Sequence, residues 1–89
     1  MNSRITEDFV ECFRRLPEAT RELARKNYRL WVASPSHPSL RFKRVHKTEP
    51  VYSARVGIGC RVLGLMDGDA VTWFWIGSHD EYERMIAQL

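Results

Sequence analysis

The spacing of apolar residues predicts a helical first third and a strand-rich remainder. Phe9, Phe13 and Leu16 recur at helical spacing after Thr6, a favourable N-cap residue. Pro17 ends this first helix and suits the first turn of a second one. The core-facing side of the second helix comprises Leu16, Thr20, Leu23, Asn27, Leu30 and Trp31. The pattern therefore predicts two N-terminal helices that pack as an antiparallel or steeply crossed pair.

Residues 34–39 are predicted to form a loop because they contain two prolines and three serines. The runs that follow predict strands at residues 40–45, 51–56, 61–66 and 70–76, with a hairpin at Asp67-Gly68. Ser78 and Glu81 form a capping-box pattern that starts a short C-terminal helix. We therefore expect an α+β fold, in which two N-terminal helices pack on a four-stranded, mainly antiparallel sheet with a short C-terminal helix.

The last predicted strand is apolar on both sides. Strict alternation places Phe74 and Ile76 on one face, and Val71, Trp73 and Trp75 on the other. A strand of this kind is covered on both faces. Since the N-terminal helices cover only one face, the other is expected to be closed by the C-terminal helix, by a partner protein, or by both.

Length and charge set broad limits on function. The 89 residues form a single predicted domain, residues 1–89, and 44% of them are hydrophobic, as in globular proteins. A net charge of +3 makes an anionic partner plausible without distinguishing nucleic acid from acidic protein. The start of the chain has no signal-peptide pattern, and no segment approaches the roughly 20 apolar residues of a membrane span. We therefore expect a cytoplasmic protein.

The two cysteines do not indicate a metal or redox centre. Cys12 and Cys60 lack the spacing of metal ligands, and they fall in a predicted helix and at a predicted strand. We interpret both as small buried hydrophobes, with a disulfide between them as the alternative. No cofactor is expected.

Four motifs follow one another along the chain: Leu16-Pro17-Glu18 and residues 37–43, 51–63 and 75–82. In the order and spacing of these motifs, the chain resembles the RelE/ParE family of toxins from bacterial type II toxin–antitoxin modules. The resemblance covers nearly the whole chain. It implies a small toxin that either cuts mRNA, usually in the ribosome, or poisons DNA gyrase. It also implies a cognate antitoxin that wraps and silences the toxin and through which the complex binds the operator DNA of the module. The apolar second face of the sheet and the basic cluster Arg41, Lys43, Arg44 and Lys47 are expected to bind an amphipathic, acidic segment of a partner that is partly disordered when free.

The resemblance assigns catalytic roles to Arg61, His79 and Tyr82. Gly59-Cys60-Arg61 matches a family pattern whose arginine contacts the scissile phosphate; the structural alternative is an ion pair with Asp67 or the C-terminal carboxylate. His79 has the chemistry of an acid or base at neutral pH, although a histidine here could simply pack against the last helix. Tyr82 is assigned to orienting a nucleotide, with core packing as the alternative.

Further basic residues are assigned to RNA binding. Arg41, Lys43 and His46 lie at or after the first predicted strand, and Arg55 lies in the second. The alternative for each is a solvated surface position. Ser53 stands where ribosome-dependent relatives often carry a lysine, which weakens the nuclease assignment.

The leading hypothesis is a metal-independent mRNA endonuclease toxin, with the antitoxin, mRNA and the ribosome as partners and no membrane contact. The alternatives are a non-catalytic gyrase-poisoning toxin, or a degenerate toxin that keeps only antitoxin binding.

Overall fold

A computed structural model describes residues 2–88 of the chain. These residues form five strands and three α-helices, with one 3₁₀ helix between the second α-helix and the second strand. The elements are β1 (Asn2–Ile5), α1 (Glu7–Arg14), α2 (Glu18–Ala33), the 3₁₀ helix Pro38–Leu40, β2 (Lys43–Arg44), β3 (Val51–Arg55), β4 (Cys60–Asp67), β5 (Ala70–Ser78) and α3 (His79–Gln88). None of the described helices is long and apolar enough to span a membrane.

The sheet has the order β1-β5-β4-β3-β2. β2 to β5 form successive antiparallel pairs, whereas β1 runs parallel to β5 at the edge. The predicted α+β architecture is confirmed, but the predicted count of four strands is one too low. β1 was missed because its sequence, Asn-Ser-Arg-Ile, has one apolar residue and no strand-like alternation. Its strand conformation depends on pairing with β5, which is distant in sequence.

The first predicted strand, residues 40–45, is much shorter in the structure. Only Lys43 and Arg44 pair with β3. Pro38 starts a 3₁₀ helix within the predicted loop, where its restricted φ is favourable, and the His37 side chain accepts a hydrogen bond from the Ser39 amide at 3.2 Å. Arg41 then adopts a left-handed conformation with φ of 47° and redirects the chain into β2.

The two N-terminal helices begin where the sequence predicts. The Thr6 side chain caps α1 by accepting a hydrogen bond from the Phe9 amide at 3.1 Å, and Pro17 occupies the N-cap position of α2 without a side-chain hydrogen bond. Trp31 of α2 is 2% exposed and packs edge-on against Trp73 of β5, with ring centroids 5.2 Å apart. This contact lies in the larger core, between the helix pair and one face of the sheet.

A β-bulge changes which residues of β5 share a face. Leu63 pairs with Trp75, but the next residue, Gly64, pairs with Trp73, so Phe74 is the extra residue. The predicted grouping of β5 is therefore wrong. Ile76 joins Val71 and Trp73 in the core beneath the helix pair, while Phe74 and Trp75 pack on the opposite face.

The C-terminal helix α3 covers that opposite face. Covering by this helix was one of the predicted alternatives. Tyr82 of α3 is buried with Val51 and Leu63 of the sheet, and Met85 and Ile86 pack around them. The predicted capping box is present: Ser78 Oγ accepts from the Glu81 amide at 3.1 Å, and a Glu81 carboxylate oxygen accepts from the Ser78 amide at 3.3 Å. The start of α3 is therefore fixed at the end of β5.

Both cysteines are free thiols, as the interpretation as small hydrophobes requires. Cys60 is 5% exposed and belongs to the core beneath the helix pair, and Cys12 packs partly against the same core. Burial raises the pKa of the Cys60 thiol to about 11, although hydrogen bonds with the backbone of Arg61 and Gly77 partly oppose this shift. Cys60 is thus a protonated, enclosed thiol at neutral pH.

Substituting Gly64 is expected to destabilise the fold. A Cβ added at Gly64 would lie 2.5 Å from Val71 Cγ1 and 2.6 Å from Trp73 Cε3, both in the core. Gly64→Ala should therefore lower the free energy of unfolding by about 1–3 kcal/mol in chemical denaturation, as overpacking does. Gly59→Ala is the matched control, because nothing lies within 4 Å of its added Cβ. Equal stability of the two variants would contradict the packing described for the bulge.

Alkylation should distinguish Cys60 from Cys12. In the native protein at pH 8, Cys60 should react with iodoacetamide on the order of a hundredfold more slowly than in urea, because its raised pKa leaves little thiolate and its sulfur is enclosed. Mass spectrometry of peptides taken over time measures both sites. Half-buried Cys12 should react before Cys60. Modification of Cys60 as fast as in urea would contradict its burial.

Candidate functional site

Two arginines lie side by side on the sheet face that α3 covers. Arg55 of β3 and Arg61 of β4 are directly opposite each other in the antiparallel register, so their side chains share that face. Both are half-buried. Within residues 2–88 neither forms an ion pair with a carboxylate, because the ion pairs found involve Arg14, Arg25 and His79. The adjacent like charges repel each other, and this repulsion favours an anion between or beside them.

Arg61 is held against the ring of Tyr82. Its Cζ lies 5.3 Å from the centroid of the ring, a cation–π distance. Its Nη1 atom is buried and has no hydrogen-bond partner among the described residues. A buried guanidinium donor without an acceptor is energetically unfavourable, so an oxygen that reaches Nη1 would be stabilised. Of the two predicted alternatives, the ion pair with Asp67 is not observed, and the C-terminal carboxylate lies outside the described residues.

Tyr82 links α3 to the floor of the site. Its side chain is 4% exposed, and its hydroxyl donates a hydrogen bond to Ser53 Oγ at 3.4 Å. Ser53 is itself fully buried and lies two positions before Arg55 in β3. Tyr82 therefore packs with Val51 and Leu63 in the smaller core, under α3, and also contacts the candidate site. Core packing and a role at the site are thus compatible for this residue.

His79 lies near the same ring. It is the first residue of α3, and its ring centroid is 6.0 Å from that of Tyr82. Its side chain is 45% exposed, and Nε2 lies 3.3 Å from a carboxylate oxygen of Glu83. The His79 amide donates to the Gly59 carbonyl at 3.0 Å, which ties the start of α3 to the turn before β4. Arg61, His79 and Tyr82 are thus brought together.

The predicted RNA-binding residues are only partly brought to this site. Lys43 pairs with Ser53, so it extends the face of Arg55 and Arg61 toward the outer edge of the sheet, where it is exposed. Arg41 is exposed but lies outside the sheet, directly after the 3₁₀ helix. Lys43 and Arg55 therefore share a surface with Arg61, while Arg41 is positioned by the turn that precedes β2.

His46 organises the loop between β2 and β3. Its Nδ1 accepts hydrogen bonds from the amides of Thr48 at 3.2 Å and Glu49 at 2.9 Å. Arg44 supports the same loop by donating to the carbonyls of His46 and Thr48. These contacts give His46 a structural role in the loop, and its contact with RNA stays a prediction.

Ser53 and Gly77 contribute to the site without having been predicted to do so. Gly77 pairs with Arg61, and a Cβ there would lie 2.5 Å from a ring carbon of Trp75. Its lack of a side chain therefore lets the Trp75 ring pack closely beside Arg61. Alternation along β3 places Ser53 on the face of Arg55, but only the docking of α3 identifies it as the partner of Tyr82.

No group of three or more potential metal ligands (His, Cys, Asp or Glu) occurs in the part of the chain that the structure describes. The charged groups positioned at the candidate site are the guanidinium groups, the imidazole and the Glu83 carboxylate.

Comparison with known proteins identifies the family. The sequence model of the ParE-like toxin domain matches residues 18–84. No curated protein sequence matches the chain. The fold is similar to that of the toxin in the RelB–RelE antitoxin–toxin complex of Methanococcus jannaschii, with a TM-score of 0.74, 17% identity, and coverage of 92% of this chain and 96% of that one.

Two further toxins from Escherichia coli have the same fold. YafQ gives a TM-score of 0.70 at 7% identity, over 91% of this chain and 96% of that one. The isolated RelE toxin gives a TM-score of 0.65 at 16% identity, over 99% of this chain and 98% of that one. The family match covers most of the chain, and the fold agrees with it. The chain therefore belongs to the ParE-like toxin domain family, and the resemblance to RelE/ParE-family toxins is confirmed.

Proposed function

We propose that this chain is the toxin of a type II toxin–antitoxin module and that it cleaves mRNA without a metal ion. The observation that carries the proposal is the buried Nη1 of Arg61, which has no hydrogen-bond partner within residues 2–88. Arg61 lies beside Arg55, and the Tyr82 ring that it contacts is also near His79. Such a cluster matches the chemical needs of phosphodiester cleavage, whereas a solvated basic surface would leave its guanidinium groups in water.

In the proposed reaction the 2′-hydroxyl of the RNA attacks the adjacent phosphorus. A base removes the 2′-hydroxyl proton as the new O–P bond forms, and the bond to the 5′-oxygen then breaks as that oxygen takes a proton. The products are a 2′,3′-cyclic phosphate and a free 5′-hydroxyl. Negative charge grows on the non-bridging phosphate oxygens, so preorganised donors there lower the barrier.

Arg61 is assigned to the phosphate. Its guanidinium offers a planar pair of donors that matches phosphate geometry, and its enclosed setting strengthens the interaction relative to water. Arg55 is directly opposite, and Lys43 continues the basic face, so both are assigned to the neighbouring RNA backbone. Arg41 and His46 are assigned to more distant contacts with the backbone.

His79 is assigned to proton transfer. Its ring is accessible to solvent, lies next to Tyr82, and has the Glu83 carboxylate to orient it. Imidazole can donate or accept a proton near neutral pH. In the observed packing Tyr82 positions Arg61. For the Tyr82 ring to contact a nucleobase of the RNA, the ring has to move away from Ser53.

The antitoxin is proposed from the relatives. RelE of Methanococcus jannaschii and RelE of Escherichia coli have both been solved in complex with their RelB antitoxins. By analogy, a cognate antitoxin would neutralise this chain, the ribosome would present the mRNA, and the antitoxin would supply any contact with operator DNA. A cytoplasmic location follows from those partners.

A gyrase-poisoning toxin is the second candidate. Ser53 favours it, since this buried residue replaces the lysine that ribosome-dependent relatives often carry, and its hydroxyl is engaged by Tyr82. Such a toxin needs a basic and aromatic surface but no acid or base.

Removing the Arg61 side chain tests the catalytic proposal. Arg61→Ala should reduce mRNA cleavage in cells by about 100-fold or more, as the loss of one transition-state donor does. Cleavage is measured by mapping message ends after induction. Arg14→Ala is the matched control, because Arg14 is a 70% exposed arginine of α1 whose contact is an ion pair with Glu11.

Two outcomes of that experiment would contradict the proposal. Equal cleavage by Arg61→Ala and wild type would show that Arg61 takes no part in the cleavage reaction. Intact messages together with induction of the DNA-damage response by the wild type would instead select gyrase poisoning. A wild type that affects neither growth nor RNA would identify a degenerate toxin.

The basic face should determine the salt dependence of RNA binding. The probe is a fully 2′-O-methylated single-stranded RNA. For its binding, the slope of the logarithm of the association constant against the logarithm of the salt concentration should be less steep by roughly 1.4 in the double variant Lys43→Ala/Arg55→Ala than in the wild type. This is about 0.7 for each of the two phosphates that are no longer neutralised. Fluorescence anisotropy at several salt concentrations measures the slope. Lys26→Ala/Arg29→Ala on α2 is the control and should leave it unchanged. Equal slopes for the two double variants would refute the assignment of this face to RNA.

A further inference from the structure

One tryptophan differs from the other two in its exposure. Trp31 is 2% exposed and Trp73 is 4% exposed, and both belong to the larger core between the helix pair and the sheet. Trp75 is only half-buried and packs partly against the smaller core under α3. None of the aromatic ring pairs found within residues 2–88 includes it. A half-buried indole that no other aromatic ring covers is available to a planar ligand.

The Trp75 ring lies beside the two guanidinium groups of the candidate site. Arg55, Arg61 and Gly77 are directly opposite one another on three adjacent strands, so they form one row across the sheet. The Trp75 ring occupies the space of a side chain at Gly77, since its Cζ2 and Cη2 lie 2.5 and 2.9 Å from where a Cβ would be. Adjacent strands are about 4.8 Å apart, so a single nucleotide can reach from Arg61 to the ring.

Tyr82 does not offer a comparable surface in the observed packing. It is 4% exposed, its hydroxyl donates to Ser53, and its ring contacts the Arg61 guanidinium. The indole of Trp75 is larger than a phenol ring and is partly open to solvent. Of these two aromatic residues, Trp75 is therefore the one that can stack on a ligand while Tyr82 stays in place.

We infer that Trp75 is a stacking platform for one unpaired nucleobase of RNA, next to the phosphate at Arg61. The inference rests on the proposed function, because it places a base in the same site whose guanidinium groups bind the phosphate. Basic residues beside an accessible aromatic ring are the combination with which proteins bind single-stranded nucleic acid. A base within a duplex stacks on its neighbours and does not reach the ring, so the ligand is single-stranded.

The platform gives a preference among bases rather than a strict code. Every base has a flat face that can stack, but a purine covers more of an indole than a pyrimidine does. We therefore expect adenine or guanine to bind better than uracil or cytosine at the position beside the phosphate held by Arg61.

An oligonucleotide with a single base tests the inference. The probe is a short chain of abasic 1′,2′-dideoxyribose phosphate units with one central 2′-O-methyladenosine, and it cannot be cleaved because it has no 2′-hydroxyl. The reference is the same backbone without any base. The single adenine should increase the affinity of the wild type by about fivefold or more, the lower end of what one stacked base contributes. Fluorescence anisotropy measures both affinities.

A matched pair of variants locates the platform. Trp75→Leu and Phe74→Leu each remove a half-buried aromatic ring that packs against the smaller core, but it is the Trp75 ring that lies across Gly77, beside Arg61. We expect the adenine to lose its effect on affinity in Trp75→Leu and to keep it in Phe74→Leu. The base-free backbone should bind equally to both, because the guanidinium groups are unchanged. Thermal unfolding shows whether each variant folds.

Intrinsic fluorescence gives a second measurement that needs no substitution. The three tryptophans of the chain are Trp31, Trp73 and Trp75, and the first two are enclosed in the larger core. A base stacked on Trp75 should quench part of the emission of the wild type, whereas the base-free backbone should leave the emission unchanged. If Trp75→Leu does not fold, this measurement decides the question.

Four results would overturn the inference: no binding of either oligonucleotide, equal affinity of the wild type for both, an adenine effect that Trp75→Leu retains, or no quenching by the adenine probe. Failure of the proposed reaction is distinguishable, because the probe cannot be cleaved. An adenine effect in a chain that leaves messages intact in cells rejects the reaction and keeps the platform. Cleavage that depends on Arg61 without an adenine effect rejects the platform alone.

Discussion

The burial of Tyr82 between α3 and the sheet is the interaction on which the candidate site depends. The ring contacts the Arg61 guanidinium and lies near the His79 ring, and its hydroxyl donates to Ser53. The cation–π contact contributes on the order of 0.5–2 kcal/mol. Its larger effect is geometric, since it fixes a charged group from β4 and an imidazole from α3 around one rigid ring. This arrangement leaves Nη1 of Arg61 without a hydrogen-bond partner among the described residues, and in the proposed function a phosphate oxygen becomes that partner.

The sheet separates two kinds of surface. Its helix-side face carries the larger core, centred on Trp31 and Trp73, and continues into an open groove beside β1. Its other face carries the smaller core under α3 and the basic residues. The bulge between Leu63 and Gly64 lets β5 contribute apolar side chains to the cores on both faces, because the extra residue places Ile76 on one face and Trp75 on the other. A regular β5 would have left the helix-side core without Ile76.

Much of this architecture was predictable because local signals and tertiary structure agree. Thr6, Pro17 and the Ser78–Glu81 pair mark helix starts through side-chain chemistry that acts within one turn. β1 and the bulge were not predictable in this way, since both depend on pairing between distant strands. The shortening of β2 follows from the left-handed Arg41, which the sequence gives no reason to expect.

The candidate site also combines features that the sequence predicts with features that depend on contacts between distant elements. The family resemblance assigned Arg61, His79 and Tyr82 to one catalytic site, and the structure places these three side chains close together. Alternation gives the face on which a side chain lies but not its distance from an element docked across that face, so the Ser53–Tyr82 contact was missed. That Arg61 forms no ion pair with a carboxylate in residues 2–88 likewise could not be predicted from the sequence pattern.

The most direct test of the central claim is a crystal structure of the chain with a fully 2′-O-methylated RNA, which cannot be cleaved. The account predicts a phosphate oxygen within about 3 Å of Arg61 Nη1, with Arg55 beside the same phosphate and the His79 ring near the adjoining ribose. RNA bound on the helix side, or an Arg61 still enclosed and unpaired while RNA lies elsewhere, would contradict it.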